Sequence, residues 1–343
     1  MNKKIRLCMV GAGRVGKNHS RAITRHVPGA EIVALVDPAV SVRNTTGDEF
    51  GIEHRFDTLE QAVNSVDFDA TVITTPTFTH KQLATESAHY GKHVFLEKPM
   101  ALNLQECDQI IHACEVNGVL LQLGFMRRFE PEFVEAAKRI EHGEIGVPMM
   151  VKSLTHGPGL PPEWARDLTR SNGMLAEVNS HDWDATRWLM RSNYERVYAE
   201  VANFKGERFH VETPNFYDNV LVSIRFESGG LGTFSGICPC EYGYDARMEI
   251  VGDRGIMQIG EMKGQSVLVC TNRDQGLISP IYRTWPQRFA WGYIYELEHF
   301  VECILTDTQP KVSGEDGRWA VAGVLAGTRS FQQERPVYLK EIL

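Results

Sequence analysis

The first half of the chain alternates short apolar runs with segments of helical periodicity. Apolar runs typical of buried strands lie at residues 5–10, 31–36, 70–74, 94–96 and 119–124. Helical patterns follow two of these runs, at residues 17–26 and 80–90. Strands that alternate with helices predict a parallel, doubly wound sheet, so the fold class of residues 1–125 is α/β.

The pattern changes after residue 125, where extended segments follow one another with few helices between them. These segments lie at residues 149–154, 219–226, 231–235, 247–251 and 255–259. Consecutive hairpins predict a second α+β domain, residues 126–343, with a large, open, mostly antiparallel sheet. One face of such a sheet needs a cover, so we expect a homo-oligomer, either a dimer or a homotetramer.

A glycine-rich turn joins the first strand to the first helix. It reads Gly11-Ala12-Gly13-Arg14-Val15-Gly16, which is the GxGxxG spacing of dinucleotide-binding domains. Gly11 permits the tight turn, Gly13 lets the backbone approach a pyrophosphate, and Gly16 lets helix and strand pack closely. The helix N-terminus then faces the anion. Strand, turn and helix in this order predict a Rossmann domain that binds a dinucleotide.

An acidic residue, Asp37, ends the second strand. It follows the glycine turn by about 20 residues, which is the spacing that the fingerprint expects. A carboxylate at this position accepts hydrogen bonds from a ribose diol and repels a 2′-phosphate, so NAD is the predicted cofactor and NADP is disfavoured. Arg43 lies close enough in the sequence to leave NADP as an alternative.

Two further strands end on residues that can line a ligand cleft, Thr75-Pro76 and Glu97-Lys98-Pro99. Ligands bind outside the carboxyl ends of the strands in open α/β sheets. This position makes Thr75, Pro76, Glu97 and Lys98 candidate contacts of the cofactor. A solvated lysine at a strand end is the alternative for Lys98.

In the second domain, one helix is predicted to carry a carboxylate and an imidazole on the same face. Glu177 and His181 are four residues apart, which is about one helical turn. The carboxylate would raise the pKa of the imidazole and tune it as a proton acceptor near neutrality. A surface Glu–His pair without a chemical role is the alternative. We interpret Asp182 and Asp184 as solvated or capping residues, and His80 as a surface residue.

Composition excludes several classes of function. The 343 residues include 36 Lys and Arg against 44 Asp and Glu, and no basic run marks a nucleic-acid footprint. No stretch approaches the ~18 consecutive apolar residues of a membrane span. Seven cysteines are scattered, and the close pair Cys238 and Cys240 lacks the further ligands of a zinc site. We therefore expect a cytoplasmic protein without a metal, a membrane or a nucleic-acid partner.

Together these motifs resemble the glucose-fructose oxidoreductase and inositol dehydrogenase family over nearly the whole chain. Members carry the glycine fingerprint, a Glu-Lys-Pro after a nucleotide-domain strand, and a helix carboxylate four residues before a His. The inositol dehydrogenases among them also carry Gly-Phe-Met-Arg-Arg and Tyr-Gly-Tyr-Asp, which occur here at residues 124–128 and 242–245. The usual helix carboxylate is Asp, and its replacement by the longer Glu177 leaves the identity of the polyol open.

The resemblance implies an NAD-dependent dehydrogenase that oxidises a ring CHOH of an inositol-like polyol or sugar to a ketone. His181 is then the general base, and Lys98 stabilises the developing alkoxide. Glu177 orients the His or binds a neighbouring hydroxyl. The other substrate hydroxyls are expected to contact Arg127, His156, Tyr242 and Tyr244.

Two other functions are alternatives at this point. An NADP-linked keto-sugar reductase would use the same fold, but Asp37 disfavours it. A non-catalytic regulator would keep the dinucleotide site and lose turnover. The joint presence of Lys98, Glu177 and His181 disfavours the regulator, because a sensor has no need of a proton-transfer set.

Overall fold

The structure is a computed structural model that describes residues 4–213, 215–262, 264 and 281–343. The chain divides into two compact units. The first comprises Met1–Glu130 and Trp291–Val321, and the second comprises Pro131–Ala290 and Ala322–Leu343. The predicted boundary at residue 125 assigned all later residues to the second domain. In the structure, Trp291–Val321 belongs to the first unit instead.

The first unit is built on a parallel sheet. Its strands are β1 (Ile5–Val10), β2 (Ala30–Val36), β3 (His54–Phe56), β4 (Ala70–Ile73), β5 (His93–Glu97) and β6 (Leu121–Gly124). Their order is β3-β2-β1-β4-β5-β6, and each neighbouring pair is parallel. The order reverses between β1 and β4, which is where doubly wound folds bind their ligands. The predicted α/β class is confirmed for this unit.

Helices accompany these strands, and a late helix completes the core of the first unit. They are α1 (Arg14–His26), α2 (Val40–Phe50), α3 (Leu59–Ser65), α4 (His80–His89), α5 (Leu104–Val116), α12 (Ala290–Thr306) and the start of α13 (Gly314–Gln333). Ile294, Leu297 and Phe300 form one apolar stripe of α12 and join the same buried cluster as Leu7 and Phe95. This packing explains why residues 291–321 belong to the first unit.

The second unit contains the predicted, mostly antiparallel sheet. Its strands are β7 (Pro148–His156), β8 (Tyr194–Ala202), β9 (Asn219–Phe226), β10 (Leu231–Ile237), β11 (Asp245–Gly252), β12 (Ile256–Ile259) and β13 (Val337–Tyr338). They lie in the order β12-β11-β7-β10-β9-β8-β13. Within the described ranges, the pair of β7 and β10 is parallel and the other pairs are antiparallel.

Helices also form part of the second unit, and one of them, which carries a buried tryptophan, packs against β7. They are α6 (Pro131–Glu141), α7 (Glu163–Arg166), α8 (Leu168–Ser171), α9 (Gly173–Glu177), α10 (Ser180–Met190), α11 (Trp285–Arg288) and the end of α13. Trp183 of α10 makes edge contacts with Phe234 and Tyr194. Gly323 lets α13 approach closely, since a Cβ there would lie 2.6 Å from the indole. No helix in the described part of the chain has the length and apolar character of a membrane span.

Candidate active site

The glycine turn of the first unit has the geometry of a dinucleotide-binding loop. Gly11 has a φ of 104°, in the region that favours glycine, and a Cβ on Gly16 would lie 2.0 Å from the Gly11 carbonyl oxygen. A Cβ on Gly13 would meet nothing within 4 Å, so the backbone is open there. Helix α1 begins at the next residue, Arg14, which is exposed. This turn could therefore hold a pyrophosphate against the start of the helix.

Asp37 lies beside this turn, at the end of β2. Its carboxylate accepts hydrogen bonds from the backbone N–H groups of Ala12 and Ala39, each at 2.8 Å. The side chain of Arg43 donates to the Asp37 carbonyl oxygen at 2.7 Å and pairs with the carboxylate of Asp57. Arg43 is thus held by oxygens of the protein, which weakens the argument that it could serve a 2′-phosphate.

A buried histidine links the two strand ends that carry Thr75 and Lys98. His80 is 1% exposed, and its ring nitrogens lie 2.8 Å from the Pro99 carbonyl oxygen and 2.9 Å from that of Thr75. Burial lowers the pKa of His80 and favours the neutral ring. The interpretation of His80 as a surface residue was wrong, because its carbonyl partners come from two loops that only the sheet brings together.

Glu97 supports the Lys98 turn from the protein interior. It is 5% exposed, and its Oε1 lies 2.6 Å from Nε2 of His19 on α1. Its Oε2 accepts the backbone N–H of Lys98 at 3.0 Å. Sequence reasoning missed His19, although its position one turn into α1, three residues after Gly16, was a usable signal. The structure therefore places Glu97 in a buried network, while Lys98 is partly exposed.

Arg127 lies in a short 3-10 turn directly after β6. It is 1% exposed, so its side chain is buried. The neighbouring Arg128 pairs with Asp316 of α13 at 2.9 Å. Of the two arginines of the Gly-Phe-Met-Arg-Arg stretch, Arg128 is thus held by an ion pair within the first unit, and Arg127 is buried.

In the second unit, the predicted helix over Glu177 and His181 is broken. Helix α9 ends at Glu177, and α10 begins at Ser180. The N–H groups of Val178 and Asn179 both bond to the Met174 carbonyl oxygen, and the second of these bonds spans five residues, which widens the end of α9 and interrupts the α-helical pattern. The single continuous helix was therefore a wrong prediction. His181 is buried in the first turn of α10, and Glu177 is half-buried at the end of α9.

The residue after His181 fastens α10 to the sheet. Asp182 is fully buried, and its carboxylate accepts hydrogen bonds from Ser153 at 2.6 Å, Thr155 at 2.7 Å and Asn179 at 2.8 Å. Asp184 is also buried. The interpretation of these acids as solvated was wrong, and for Asp182 the reason is that polar residues alternating along β7 supply two of its donors. That alternation was a signal that the sequence offered.

His156 and Tyr242 come together on the other face of the sheet. Since Thr155 faces α10, the alternation of β7 turns His156 away from that helix. Its Nδ1 pairs with the Tyr242 hydroxyl, its Nε2 lies 3.1 Å from Ser235 Oγ, and burial lowers its pKa. The Tyr242 hydroxyl also donates to Asp245 at 3.2 Å. Tyr244, in contrast, is buried with its ring edge against Phe289.

Two sequence models of one protein family match the chain. The model described as "Oxidoreductase family, NAD-binding Rossmann fold" matches residues 5–125. The model of the "GFO/IDH/MocA C-terminal domain" matches residues 133–258. The two matches cover the glycine turn, Lys98, Glu177 and His181, so the candidate residues of both units lie within them.

Similar proteins extend over the full length of the chain. The scyllo-inositol 2-dehydrogenase (NAD(+)) of Bacillus subtilis is 32% identical and aligns with 99% of this chain and 97% of its own. The crystal structure of a probable dehydrogenase from Thermotoga maritima has a TM-score of 0.91 at 28% identity, with 99% and 100% of the chains covered. The scyllo-inositol dehydrogenase of Lactobacillus casei with bound NAD(H) and scyllo-inositol has a TM-score of 0.88 at 25% identity, with 98% and 100% covered.

Proposed function

Because this chain belongs to the GFO/IDH/MocA family of NAD-binding oxidoreductases, we propose that it oxidises a ring CHOH of an inositol-like cyclic polyol or a sugar to a ketone. The observation that carries the proposal is the full-length similarity to an NAD(+)-dependent scyllo-inositol 2-dehydrogenase. The family resemblance inferred from the motifs is confirmed. The substrate remains a class, because Glu177 stands where the family usually has Asp.

The first unit holds the cofactor. NAD supplies the hydride acceptor when it is bound, and the open backbone at Gly13 together with the Asp37 carboxylate fits its pyrophosphate and ribose. Ala12, Val15, Thr75 and Pro76 complete the proposed contacts around the same strand ends. Asp37 keeps acceptor capacity beyond its two backbone bonds, since an ionised carboxylate offers about four lone-pair sites.

We assign Lys98 the task of stabilising the alkoxide that develops as the substrate hydroxyl gives up its proton, before the carbon loses its hydride and becomes the ketone. Lys98 directly follows the carboxyl end of β5, and its turn is anchored by Glu97 and His80. A charged donor held in this way needs little reorganisation during the reaction. One such donor is typically worth ~3 kcal/mol of barrier.

His181 is the proposed general base. It is buried in the first turn of α10, and Asp182 holds that turn to the sheet. Glu177 lies just beyond the helix break and is proposed to orient the imidazole or bind a neighbouring hydroxyl. Arg127, His156, Tyr242 and Tyr244 are proposed contacts for other hydroxyls. Tyr242 is 42% exposed, whereas Tyr244 is buried.

The test is NADH formation from a panel of inositol isomers and aldoses. We expect turnover with at least one cyclic polyol and a kcat/KM at least about tenfold higher with NAD than with NADP. Equal values for the two cofactors would contradict the role given to Asp37. Tight NAD binding without turnover on any member of the panel would instead favour a regulator.

We further propose that the protein is a cytoplasmic homo-oligomer, a dimer or a tetramer. An apolar row crosses the sheet face that points away from α10, through Ile256, Val251, Met150 and Leu231 on neighbouring strands. Ile256 is 56% exposed and Leu231 is 47% exposed. A second copy that covers this row would remove it from water.

A further inference from the structure

A buried set of titratable side chains lies behind the Lys98 turn. It consists of His19 on α1, Glu97 on β5 and Glu296 on α12, and the nearest nitrogen and oxygen atoms lie within 4.8 Å of one another. His19 and Glu296 are 0% exposed, and Glu97 is 5% exposed. Gly124, paired with Glu97 on the neighbouring strand, leaves the room that this carboxylate occupies. We call these three residues the buried triad.

Glu296 differs from Glu97 in the hydrogen-bond donors that its carboxyl group receives. Glu97 accepts hydrogen bonds from His19 and from the Lys98 backbone, as described above. Both carboxyl oxygens of Glu296 are buried, and no group in the described part of the chain donates a hydrogen bond to them. An ionised carboxylate would be costly there, because it would have lost water without gaining donors or a countercharge. Burial and then the charge of Glu97 raise the pKa of Glu296.

The groups around Glu296 are consistent with one retained proton. In the described part of the chain, Glu97 and His19 are the carboxylate and the imidazole grouped with Glu296, and Tyr293, on the same helix as Glu296, makes a T-shaped ring contact with His19. Gln122 on β6 donates to the Glu296 backbone carbonyl at 2.7 Å. Two buried carboxyl groups with oxygens within 4.8 Å of each other do not both ionise, so one of them keeps a proton.

Two carboxylates and an imidazole could also bind a metal ion. Ligands of a tetrahedral zinc lie about 2.0–2.2 Å from the metal, which places them about 3.3 Å from one another. His19 Nε2 and Glu97 Oε1 are separated by only 2.6 Å, which is a hydrogen-bond distance. The geometry therefore favours a proton over a metal in the buried triad.

We propose that Glu296 is a neutral carboxylic acid that donates a hydrogen bond to Glu97, and that this carboxyl pair positions Lys98 for the reaction. The positioning of Lys98 by this pair rests on the proposed function. In this arrangement, Glu97 is held by His19, by the Lys98 backbone and by Glu296, so its carboxylate fixes the start of the Lys98 turn. Glu296 is thus a positioning residue that acts through Glu97.

The protonation state is tested without any assay of activity. Infrared difference spectra of wild type and Glu296→Gln at neutral pH should show loss of the carbonyl stretch of one protonated carboxyl group. Glu302→Gln, an exposed change on the same helix, is the control and should leave that band in place. Absence of the band from the wild type, or a stoichiometric metal ion lost in Glu296→Gln, would overturn the proposal.

The positioning role is tested by comparing Glu296→Gln with Glu296→Ala. Glutamine keeps an N–H donor for Glu97, so its kcat should stay within about threefold of wild type. Alanine removes the donor, so kcat should fall at least about tenfold while the Kd of NAD changes little. Equal loss in both variants, or an unchanged kcat in folded Glu296→Ala, would refute positioning. If the wild type turns over no polyol, the infrared result still decides the protonation state.

Discussion

The chemistry proposed for Lys98 depends on how a flexible side chain is held at a strand end. The backbone N–H of Lys98 bonds to Glu97, and the following Pro99 carbonyl bonds to His80, so both sides of the residue are fixed. His181 has a comparable support, because the neighbouring Asp182 is bonded to β7. Fixed supports of this kind matter for catalysis, since small misplacements of a reacting group cost rate.

We expect Lys98→Ala and His181→Ala each to lower kcat at least ~100-fold, because one removes the alkoxide donor and the other removes the proton acceptor. The Kd of NAD, measured by fluorescence titration, should change little in His181→Ala, because His181 is not a proposed contact of the cofactor. Lys138→Ala, on the exposed side of α6, is the control and should keep wild-type kinetics. An unchanged kcat in His181→Ala would remove that residue from the mechanism.

At the scale of elements, the short α10 depends on polar contacts as well as on Trp183. Its first turn follows the two non-helical residues that separate α9 from α10. The carboxylate of Asp182 receives hydrogen bonds from two strand residues and from Asn179. Buried donors that lose their acceptor are costly, at about 1–3 kcal/mol each. The position of α10 on the sheet is therefore sensitive to this one side chain.

We predict that Asp182→Ala lowers the free energy of unfolding by about 3 kcal/mol or more, as measured by urea titration, because three buried donors lose their acceptor. Thr155→Val removes a single donor with little change in shape and should cost about 1 kcal/mol. The kcat of Asp182→Ala should also fall, since His181 begins the same turn. Equal stabilities of the two variants would contradict the network.

The stability of the whole molecule should depend on pH through its buried imidazoles. Burial lowers the pKa of His80 in the folded state, while the unfolded chain takes up the proton near the ordinary value of about 6.5. Below that pH the unfolded state binds more protons than the folded state, so stability is lost as the pH falls. His93 and His156 shift in the same direction for the same cause.

We therefore expect the free energy of unfolding to fall between about pH 6.5 and pH 5, with each such histidine adding a slope of at most ~1.4 kcal/mol per pH unit. His80→Asn should be less stable at neutral pH but show a shallower slope. His142→Asn, an exposed change, is the control. Urea titrations across this range measure the free energy of unfolding and its slope with pH. An unchanged slope in His80→Asn would argue against a buried neutral ring.

Assembly is the other property of the whole molecule that can be tested. Light scattering should give the mass of a dimer or tetramer for the wild type. Leu231→Asp places a charge in the apolar row of the open sheet face and should shift the mass towards the monomer. Val116→Asp, at an exposed position at the end of α5, should not. A monomeric wild type would refute the proposed assembly.

The sequence alone determined the local elements and the motifs built on them. The strands Ile5–Val10 and Asn219–Phe226 were predicted with their observed bounds, because apolar periodicity reflects which side chains each element buries. The glycine turn and Asp37 could also be identified from the sequence. The close approach at Gly16, for example, is to the backbone of Gly11, only five residues earlier. These features depend on residues that are near one another in the chain.

Only the tertiary structure decided which polar residues are buried and what they contact. His80 and Asp182 looked like surface residues because each has partners that are distant in the sequence, Pro99 for His80 and two residues of β7 for Asp182. The buried triad joins α12 to α1 and β5, and no local sequence pattern predicts that α12 packs in the first unit. A polar side chain is stable in the interior only if the fold supplies its partner or its proton. That condition is set by contacts between distant parts of the chain.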